Sequence, residues 1–228
     1  MLASSPLAAK AEEEADDAIE ARRADLFPLP PCRWELTRAD FERLRLTEER
    51  EVYLRGQIIE IATSFIGTPY FPKDSPFFEA HSTAKAKQFF KDHPDRLDNL
   101  DCCGLVRAVM WVLYERRDVA FKIRRFNQNY QRRALPMPES RLPFGDLSAC
   151  KPGDLVFYAA RPRSGAVGIN STQPIKHVEI MVGDGTGATL GSRWGDVVRR
   201  HDSYEFDSGR WEVISHDFRS IRSWLEGP

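Results

Sequence analysis

The clearest pattern of hydrophobic and polar positions lies in residues 101–118. Apolar residues recur there at the i, i+4, i+7, i+8 spacing of a helix with one buried face, at Leu105, Val109, Val112 and Leu113. A charged run at 115–118 ends the pattern. The pattern predicts a helix that begins at or near Cys102, where a loop turns into the helix.

A second pattern, with a period of two, predicts strands further along the chain. Apolar Val178, Ile180 and Val182 alternate there with His177, Glu179 and Met181. Gly-Asp-Gly at 183–185 is typical of a hairpin turn, so we expect His177 to open a strand that ends at this turn. Upstream, Pro-Gly-Asp at 152–154 predicts a turn that leads into another strand at 155–158.

Weaker signals complete the predicted order of elements. Helices are expected to start at Thr37 and Thr47, and Gly67 is expected to end the second of them. The stretch 71–99 is expected to be an insertion with a helix from Thr83 to Lys91, long enough to form a wall or lid of a site. The remaining predicted elements are a loop at 161–173, strands at 196–200 and 211–214, and a closing helix or turn at 218–225.

Composition excludes several classes of protein. The 228 residues carry 33 basic and 34 acidic side chains, so no overall charge attracts nucleic acid or a membrane surface. Four cysteines are too few for a small disulfide-rich secreted protein, and a reducing compartment is the simpler interpretation. No spacing of His, Cys, Asp or Glu is typical of a metal site, so we expect no metal and no cofactor.

The first residues differ in composition from the rest of the chain. Residues 1–31 combine an acidic run with a Pro-rich end, which is typical of a disordered tail followed by a stiff linker. They lack the basic start and apolar centre of a signal peptide, and no stretch is apolar enough to span a membrane. We therefore expect one domain at 32–228, a cytoplasmic location and no membrane partner.

Cys102 and His177 are the candidate reactive pair. The free N–H groups and the positive dipole end at a helix N-terminus favour a thiolate over a thiol, which makes Cys102 a candidate nucleophile. Such a cysteine needs a base that is close in space, although the base can be distant in sequence. His177, at the start of a predicted strand, is the candidate base.

Four short motifs follow one another along the chain. They are Gly67-Thr68-Pro69-Tyr70, Asp101-Cys102-Cys103-Gly104-Leu105-Val106, Lys151-Pro152-Gly153-Asp154-Leu155-Val156-Phe157 and His177-Val178-Glu179-Ile180-Met181-Val182-Gly183-Asp184-Gly185. In this order they resemble the motifs of the NlpC-type cysteine peptidases, a branch of the papain-like fold known for cutting bacterial cell-wall peptides. The resemblance covers roughly residues 58–198. It implies an α+β fold in which the nucleophile helix packs on an antiparallel sheet.

The resemblance also implies roles for single residues. The cysteine directly after Asp101 is the family's nucleophile, which selects Cys102 over Cys103, and the family usually has Ser at the second position. Tyr70 is expected to line the site. Asp101 and its neighbour Cys103 are expected to help hold a substrate amine.

The residue that orients the imidazole is defined less well. In the family it is a polar residue on the strand after the histidine, and it holds the ring in the correct tautomer. Twelve residues after His177 comes Thr189, and the longer turn in this chain brings Gly191 and Ser192 opposite instead. We expect a hydroxyl of Thr189 or Ser192 to accept the imidazole N–H. Other candidates are Asp196 and His201.

We expect from these patterns a cysteine hydrolase that cleaves a peptide or isopeptide bond through a thioester, with a peptide as substrate. Two alternatives stay open: a papain-like acyltransferase or thioesterase, and a binding module without activity. A nucleic-acid partner is suggested only at 122–133, where five basic side chains are interleaved with two aromatics. The charge balance of the chain favours a solvated helix face there, so no nucleic acid is expected.

Overall fold

The computed structural model describes residues 45–94, 99–115, 128–135, 140–143, 146–163, 175–209 and 211–226. All of them belong to the unit Thr37–Pro228. Several sequence predictions lie outside the described residues. These are the tail at 1–31, the helix start at Thr37, residues 122–127 of the basic cluster and residues 164–173 of the predicted loop.

An antiparallel sheet of five strands forms the centre of the described part. The strands run in the spatial order β4-β3-β2-β1-β5, and every neighbouring pair is antiparallel. Their bounds are β1 Leu155–Pro162, β2 Ile175–Met181, β3 Thr189–Ser192, β4 Val198–His201 and β5 Trp211–Arg219. The described residues also form six α-helices, α1 Glu48–Ser64, α2 Phe78–His81, α3 Ala84–Asp92, α4 Cys102–Glu115, α5 Gln128–Arg133 and α6 Arg222–Leu225. The predicted α+β class is confirmed.

The two faces of the sheet belong to different apolar clusters. One face packs on helices α1 and α4, and its cluster includes Leu155, Phe157, Val178, Ile180, Leu54, Ile58, Leu105, Val109 and Leu113. The opposite face carries Val156, Tyr158, Met181 and Phe218, with Tyr204 and Phe206 packed against them. Side chains alternate along a strand, so successive residues of β1 and β2 belong to opposite faces of the sheet.

A buried ionic cluster ties α1 to the turn before β1. Arg55 on α1 donates to Asp154 Oδ1 and to Glu51 Oε1, both at 2.8 Å. All three side chains are buried. Asp154 also accepts the backbone N–H groups of Lys151 and Ile221, so it closes the predicted turn and anchors the segment that leads into α6.

The observed elements match most of the predicted ones. The helix predicted near Cys102 begins at that residue, and the hairpin after Met181 joins β2 to β3. Thr47 and Thr83 each accept a backbone N–H as helix caps, so the helices predicted at these residues are confirmed. The closing helix is shorter than predicted because Phe218 belongs to β5, which pairs with β1 as far as Arg219.

Candidate active site

Cys102 is the first residue of α4, and Asp101 caps this helix. The Gly104 N–H donates to Asp101 Oδ1 at 2.6 Å, and the Cys103 thiol donates to the same oxygen at 3.3 Å. The cap satisfies one of the free N–H groups at the helix end. It thereby fixes Cys102 at the positive end of the helix dipole, as the sequence predicts.

The structure brings Cys102 and His177 together, although 75 positions separate them in the sequence. Cys102 is 5 % exposed, and the His177 imidazole is close enough to its sulfur to lower the pKa of the thiol. A hydrogen bond from Cys103, together with the charge and hydrogen bond of His177, outweighs burial and lowers the pKa of Cys102 to about 6. Burial opposes protonation of His177, but the Cys102 thiolate and Glu179 raise its pKa to about 9. Both shifts favour a thiolate–imidazolium pair near neutral pH.

Cys103 contributes to this pair through a single proton. That proton has two possible acceptors, the sulfur of Cys102 and Oδ1 of Asp101. Donation to Cys102 lowers the pKa of that thiol and so favours the thiolate–imidazolium pair. Cys103 is 2 % exposed, and neither Cys103 nor Cys102 is among the residues that line the pocket beside His177.

The other ring nitrogen of His177 contacts a residue that the sequence analysis did not select. His177 Nε2 lies 2.9 Å from Oε1 of Glu179, two positions further along β2. The expectation that Thr189 or Ser192 accepts the imidazole N–H is therefore wrong for this structure. Thr189 instead donates to Glu179 Oε2 at 2.7 Å, and the Ser192 hydroxyl is buried without a hydrogen-bond partner among the described residues.

The two alternative candidates do not reach His177 either. His201 is buried on β4, with Nε2 4.0 Å from Oε1 of Glu179. Asp196 forms an ion pair with Arg199 at 3.1 Å, next to the insertion. The hydrogen-bond partner of His177 Nε2 is Glu179 instead.

Glu179 is fully buried, and four side chains converge on its two oxygens. Arg193 donates through Nε at 2.8 Å and through a terminal nitrogen at 3.2 Å. Tyr158 donates at 2.9 Å, in addition to the bonds from Thr189 and His177. Burial alone would raise the pKa of Glu179, but the hydrogen bonds and charges of His177 and Arg193 hold it well below its usual range. The carboxylate is therefore ionised and its orientation is fixed.

A signal for Glu179 is present in the sequence. Residues two apart on a strand face the same side of the sheet, and the alternation around Val178 puts His177 and Glu179 on one face. The prediction followed the family pattern to β3 instead. A carboxylate two positions after a candidate catalytic histidine on a strand is thus a local signal for its hydrogen-bond partner.

An open pocket of about 470 Å³ lies beside His177. Tyr70 is in its lining, at the place expected for a residue that lines the site. The lining also includes Trp194, Phe206, Trp211, Lys176 and Arg193. The pocket therefore offers aromatic surface and cationic side chains next to the candidate base.

The insertion packs against two residues that line this pocket, Tyr70 and Trp194. Its cluster of Phe71, Phe78 and Phe90 packs against Tyr70, and Phe71 meets Trp194 edge to face with ring centres 4.9 Å apart. The backbone N–H of Thr83 donates to Gly195 O at 2.7 Å. The insertion is thus attached to the turn between β3 and β4, which carries Trp194 into the pocket lining.

Helix α5 connects the cysteine helix to the histidine strand. Gln131 is buried and donates to the backbone oxygen of Cys103 at 2.9 Å. Asn129 bonds to both the N–H and the oxygen of Ile175, at the start of β2. The sequence pattern of this stretch predicts only a basic cluster and does not predict these contacts. The amide side chains of Asn129 and Gln131, which stand next to Arg132-Arg133 in the sequence, are the signal that could have predicted these hydrogen bonds.

Other features of the described residues bear on function classes. They contain no group of three or more His, Cys, Asp or Glu side chains that could hold a metal ion. None of the helices in the described ranges has the length and apolar character needed to cross a bilayer. Comparison with models of known families gives no match, and comparison with curated proteins gives none either.

Proposed function

We propose that this protein is a cysteine hydrolase that cleaves an amide bond in a peptide or isopeptide, with Cys102 as nucleophile and His177 as general acid and base. The observation that carries the proposal is the electrostatic interaction between Cys102, at the capped start of α4, and His177 on β2. His177 helps to lower the pKa of Cys102, and the Cys102 thiolate helps to raise the pKa of His177, so the charged forms of both groups are favoured. Such a pair is what nucleophilic attack on an amide requires.

The first half of the reaction forms a thioester. The Cys102 thiolate attacks the amide carbonyl carbon, and a C–S bond forms as the carbonyl oxygen becomes an oxyanion. We assign the oxyanion to backbone N–H groups at the start of α4, including that of Cys102, since the dipole end of the helix stabilises negative charge. The C–N bond then breaks as the His177 imidazolium gives its proton to the leaving amine.

The second half restores the enzyme. Neutral His177 takes a proton from water, and the hydroxide attacks the thioester carbonyl. The C–S bond breaks, a carboxylic acid leaves, and the thiolate and imidazolium are both regenerated. One water is consumed for each amide bond cleaved, and no cofactor takes part in either half.

The substrate class follows from the motif resemblance and the pocket together. The four motifs have the order of NlpC-type peptidases, and the nucleophile helix packs on an antiparallel sheet as in a papain-like fold. The pocket beside His177 has room for a few residues of a peptide and carries aromatic and cationic side chains. We propose short peptides, including cell-wall-type peptides with D-residues, as the substrates.

The test is to trap the thioester. The wild type is incubated with a library of short peptides, including isopeptides and peptides with D-residues, and quenched samples are analysed by intact mass. We expect an acyl mass on Cys102 and new amine and acid products, with both lost in Cys102→Ala and His177→Ala. The matched control is Cys150→Ala, since burial raises the pKa of the Cys150 thiol to about 11 and leaves it unreactive.

The proposal also makes a prediction that needs no substrate. Iodoacetamide should label Cys102 rapidly at pH 7. In His177→Ala the rate should fall by up to about thirtyfold, the limit set by an ordinary thiol with a pKa of about 8.5, which is only a few per cent ionised at pH 7. The hydrogen bond from Cys103, which also lowers the pKa of Cys102, should make the loss smaller than this limit. If Cys102 labels no faster than an ordinary exposed cysteine and no peptide is cleaved, the binding-module alternative replaces the hydrolase.

A further inference from the structure

We propose that Glu179 is the positioning residue of the His177 imidazole, and that the side-chain-free position Gly191 on β3 is what allows this role to be filled from β2. The inference rests on the proposed function, because it names the residue that orients the general acid and base. It differs from the sequence expectation, which placed that residue on β3.

Gly191 on β3 lies directly against the side chain of Glu179 on β2. A Cβ atom built on Gly191 would lie 2.7 Å from Cγ and 2.8 Å from Oε1 of Glu179. Gly191 does not have a positive φ, so its backbone would accept any residue without strain. The space that Glu179 occupies is therefore the reason for glycine at this position.

The oxygen that accepts the bond from His177 could come from a side chain on β2 or from one on β3. Glu179 Oε1 accepts the bond from His177 Nε2 at 2.9 Å, and this same oxygen is 2.8 Å from the missing Cβ of residue 191. The oxygens of an aspartate or asparagine side chain lie about 2.4 Å from their own Cβ, a few tenths of an ångström less than this distance. A short polar side chain at 191 would consequently reach the place that the Glu179 oxygen now fills, and the two side chains exclude each other.

The orientation of the Glu179 carboxylate is fixed. Arg193, Thr189 and Tyr158 hold the two oxygens of Glu179 from the sides that His177 does not use. A carboxylate whose oxygens are both held by several donors has one preferred orientation. Through its hydrogen bond to His177 it also fixes the orientation of the imidazole ring. A purely structural pair of Glu179 and Arg193 would not require the bond to His177.

The experiment compares substitutions at the two strands by Cys102 alkylation over pH 5–10 and by the NMR titration of His177. The variants are Glu179→Gln, Glu179→Ala, Gly191→Ala, the double variant Glu179→Ala with Gly191→Ala, and the swap Glu179→Ala with Gly191→Asp. Gly56→Ala is the matched glycine control, since a Cβ at Gly56 meets nothing within 4 Å. Urea unfolding of each variant shows whether its native state persists.

We expect Glu179→Ala and Gly191→Ala each to slow alkylation at pH 7 about tenfold and to lower the pH at which His177 loses its proton. Glu179→Gln keeps an acceptor but loses the charge, so it should fall between Glu179→Ala and the wild type. Adding Gly191→Ala to Glu179→Ala should cause little further loss, because both remove the same contact. The swap should recover several-fold of the rate by returning a carboxylate from β3.

The inference is overturned if folded Glu179→Ala keeps the wild-type alkylation profile and the wild-type titration of His177. It is also overturned if the losses in Glu179→Ala and Gly191→Ala add fully, or if the swap is no faster than Glu179→Ala. None of these measurements needs a substrate. A failure to find amide cleavage would therefore count against the proposed function and leave the assignment of Glu179 intact.

Discussion

The imidazole of His177 and the carboxylate of Glu179 are joined by a 2.9 Å hydrogen bond between residues two apart on the same strand. A bond of this kind needs no long-range assembly, because β2 itself places both side chains on one face. The nucleophile is different, since Cys102 is distant in sequence and belongs to α4, which packs on the face of the sheet that carries Val178 and Ile180. The site therefore combines a local pair with one long-range contact.

The pH dependence of the site follows from the two shifted groups. Because the pKa of Cys102 is lowered to about 6, the thiolate forms as the pH rises through that value. Because the pKa of His177 is raised to about 9, the imidazolium that protonates the leaving amine is lost as the pH rises through that value. We expect amide cleavage to be highest between these limits, and the two limits belong to the coupled pair.

Alkylation and cleavage should differ on the alkaline side. Iodoacetamide needs only the thiolate, so its rate should stay high above pH 9 while cleavage falls. In Cys103→Ala the acidic limit should move upward, since one hydrogen bond to Cys102 is lost, but it should stay below that of an ordinary thiol because His177 remains. An alkylation midpoint near that of a free cysteine in the wild type would contradict this account.

The long periodic elements of the fold could be predicted from the sequence. The spacing from Leu105 to Leu113 and the capping Asp101 determine where α4 begins, and the alternation around Val178 determines β2. These are local signals, which a single sequence carries in full. The placement of Cys102 at the start of α4 could be predicted from the same local signals.

The rest of the site depends on contacts between distant residues. Which side chain fills the space beside Gly191 is decided by the register of β2 against β3, and no local pattern in either strand states it. The contacts of Gln131 and of Trp194 are of the same kind, since each joins segments that are far apart in the chain. Sequence periodicity predicts elements but not the pairs of side chains that meet between them.

Gln131 is predicted to hold the relative position of Cys102 and His177. Gln131→Met keeps a similar volume but removes the bond to the Cys103 backbone oxygen, which should cost about 1 kcal/mol of unfolding free energy. Because α5 also binds Ile175 at the start of β2, we expect kcat/KM to fall about tenfold through misplacement of the pair. Arg133→Ala, at an exposed position of the same helix, is the control.

The measurements are steady-state kinetics on a peptide found in the thioester screen and urea unfolding of the same samples. A loss of stability with unchanged kcat/KM would show that α5 supports the fold without positioning the site. A similar loss of kcat/KM in Arg133→Ala would show that the helix acts through charge instead.

Trp194 is predicted to contribute to substrate binding. Its ring is 43 % exposed, contacts Tyr70 and Phe71 and lines the pocket. Trp194→Ala removes this wall, so KM for a peptide substrate should rise about tenfold while kcat and Cys102 alkylation change little. Ile214→Ala, at an exposed apolar residue of β5 outside the pocket lining, is the control. An unchanged KM in folded Trp194→Ala would exclude this wall from the binding site.

Arg55 is predicted to be the residue whose loss damages the fold most without touching the reactive pair. Arg55→Leu leaves the carboxylates of Glu51 and Asp154 buried without their shared guanidinium. Breaking a buried ion pair from one side typically costs about 3–5 kcal/mol, because the remaining charge has lost both water and partner. We expect urea unfolding to show a loss of this size. Alkylation of Cys102 in the fraction that remains folded should keep its wild-type rate.

The control for Arg55 is a cation in an exposed pair. Arg161 binds Glu212 on the surface with both side chains well exposed, and Arg161→Ala should leave the unfolding transition nearly unchanged because water replaces the partner. If Arg55→Leu unfolds at the same urea concentration as the wild type, Lys151 and Arg222, which also contact Glu51, must compensate for the lost guanidinium. That outcome would contradict the prediction that Arg55 is the main cation of the cluster that joins α1 to the turn before β1.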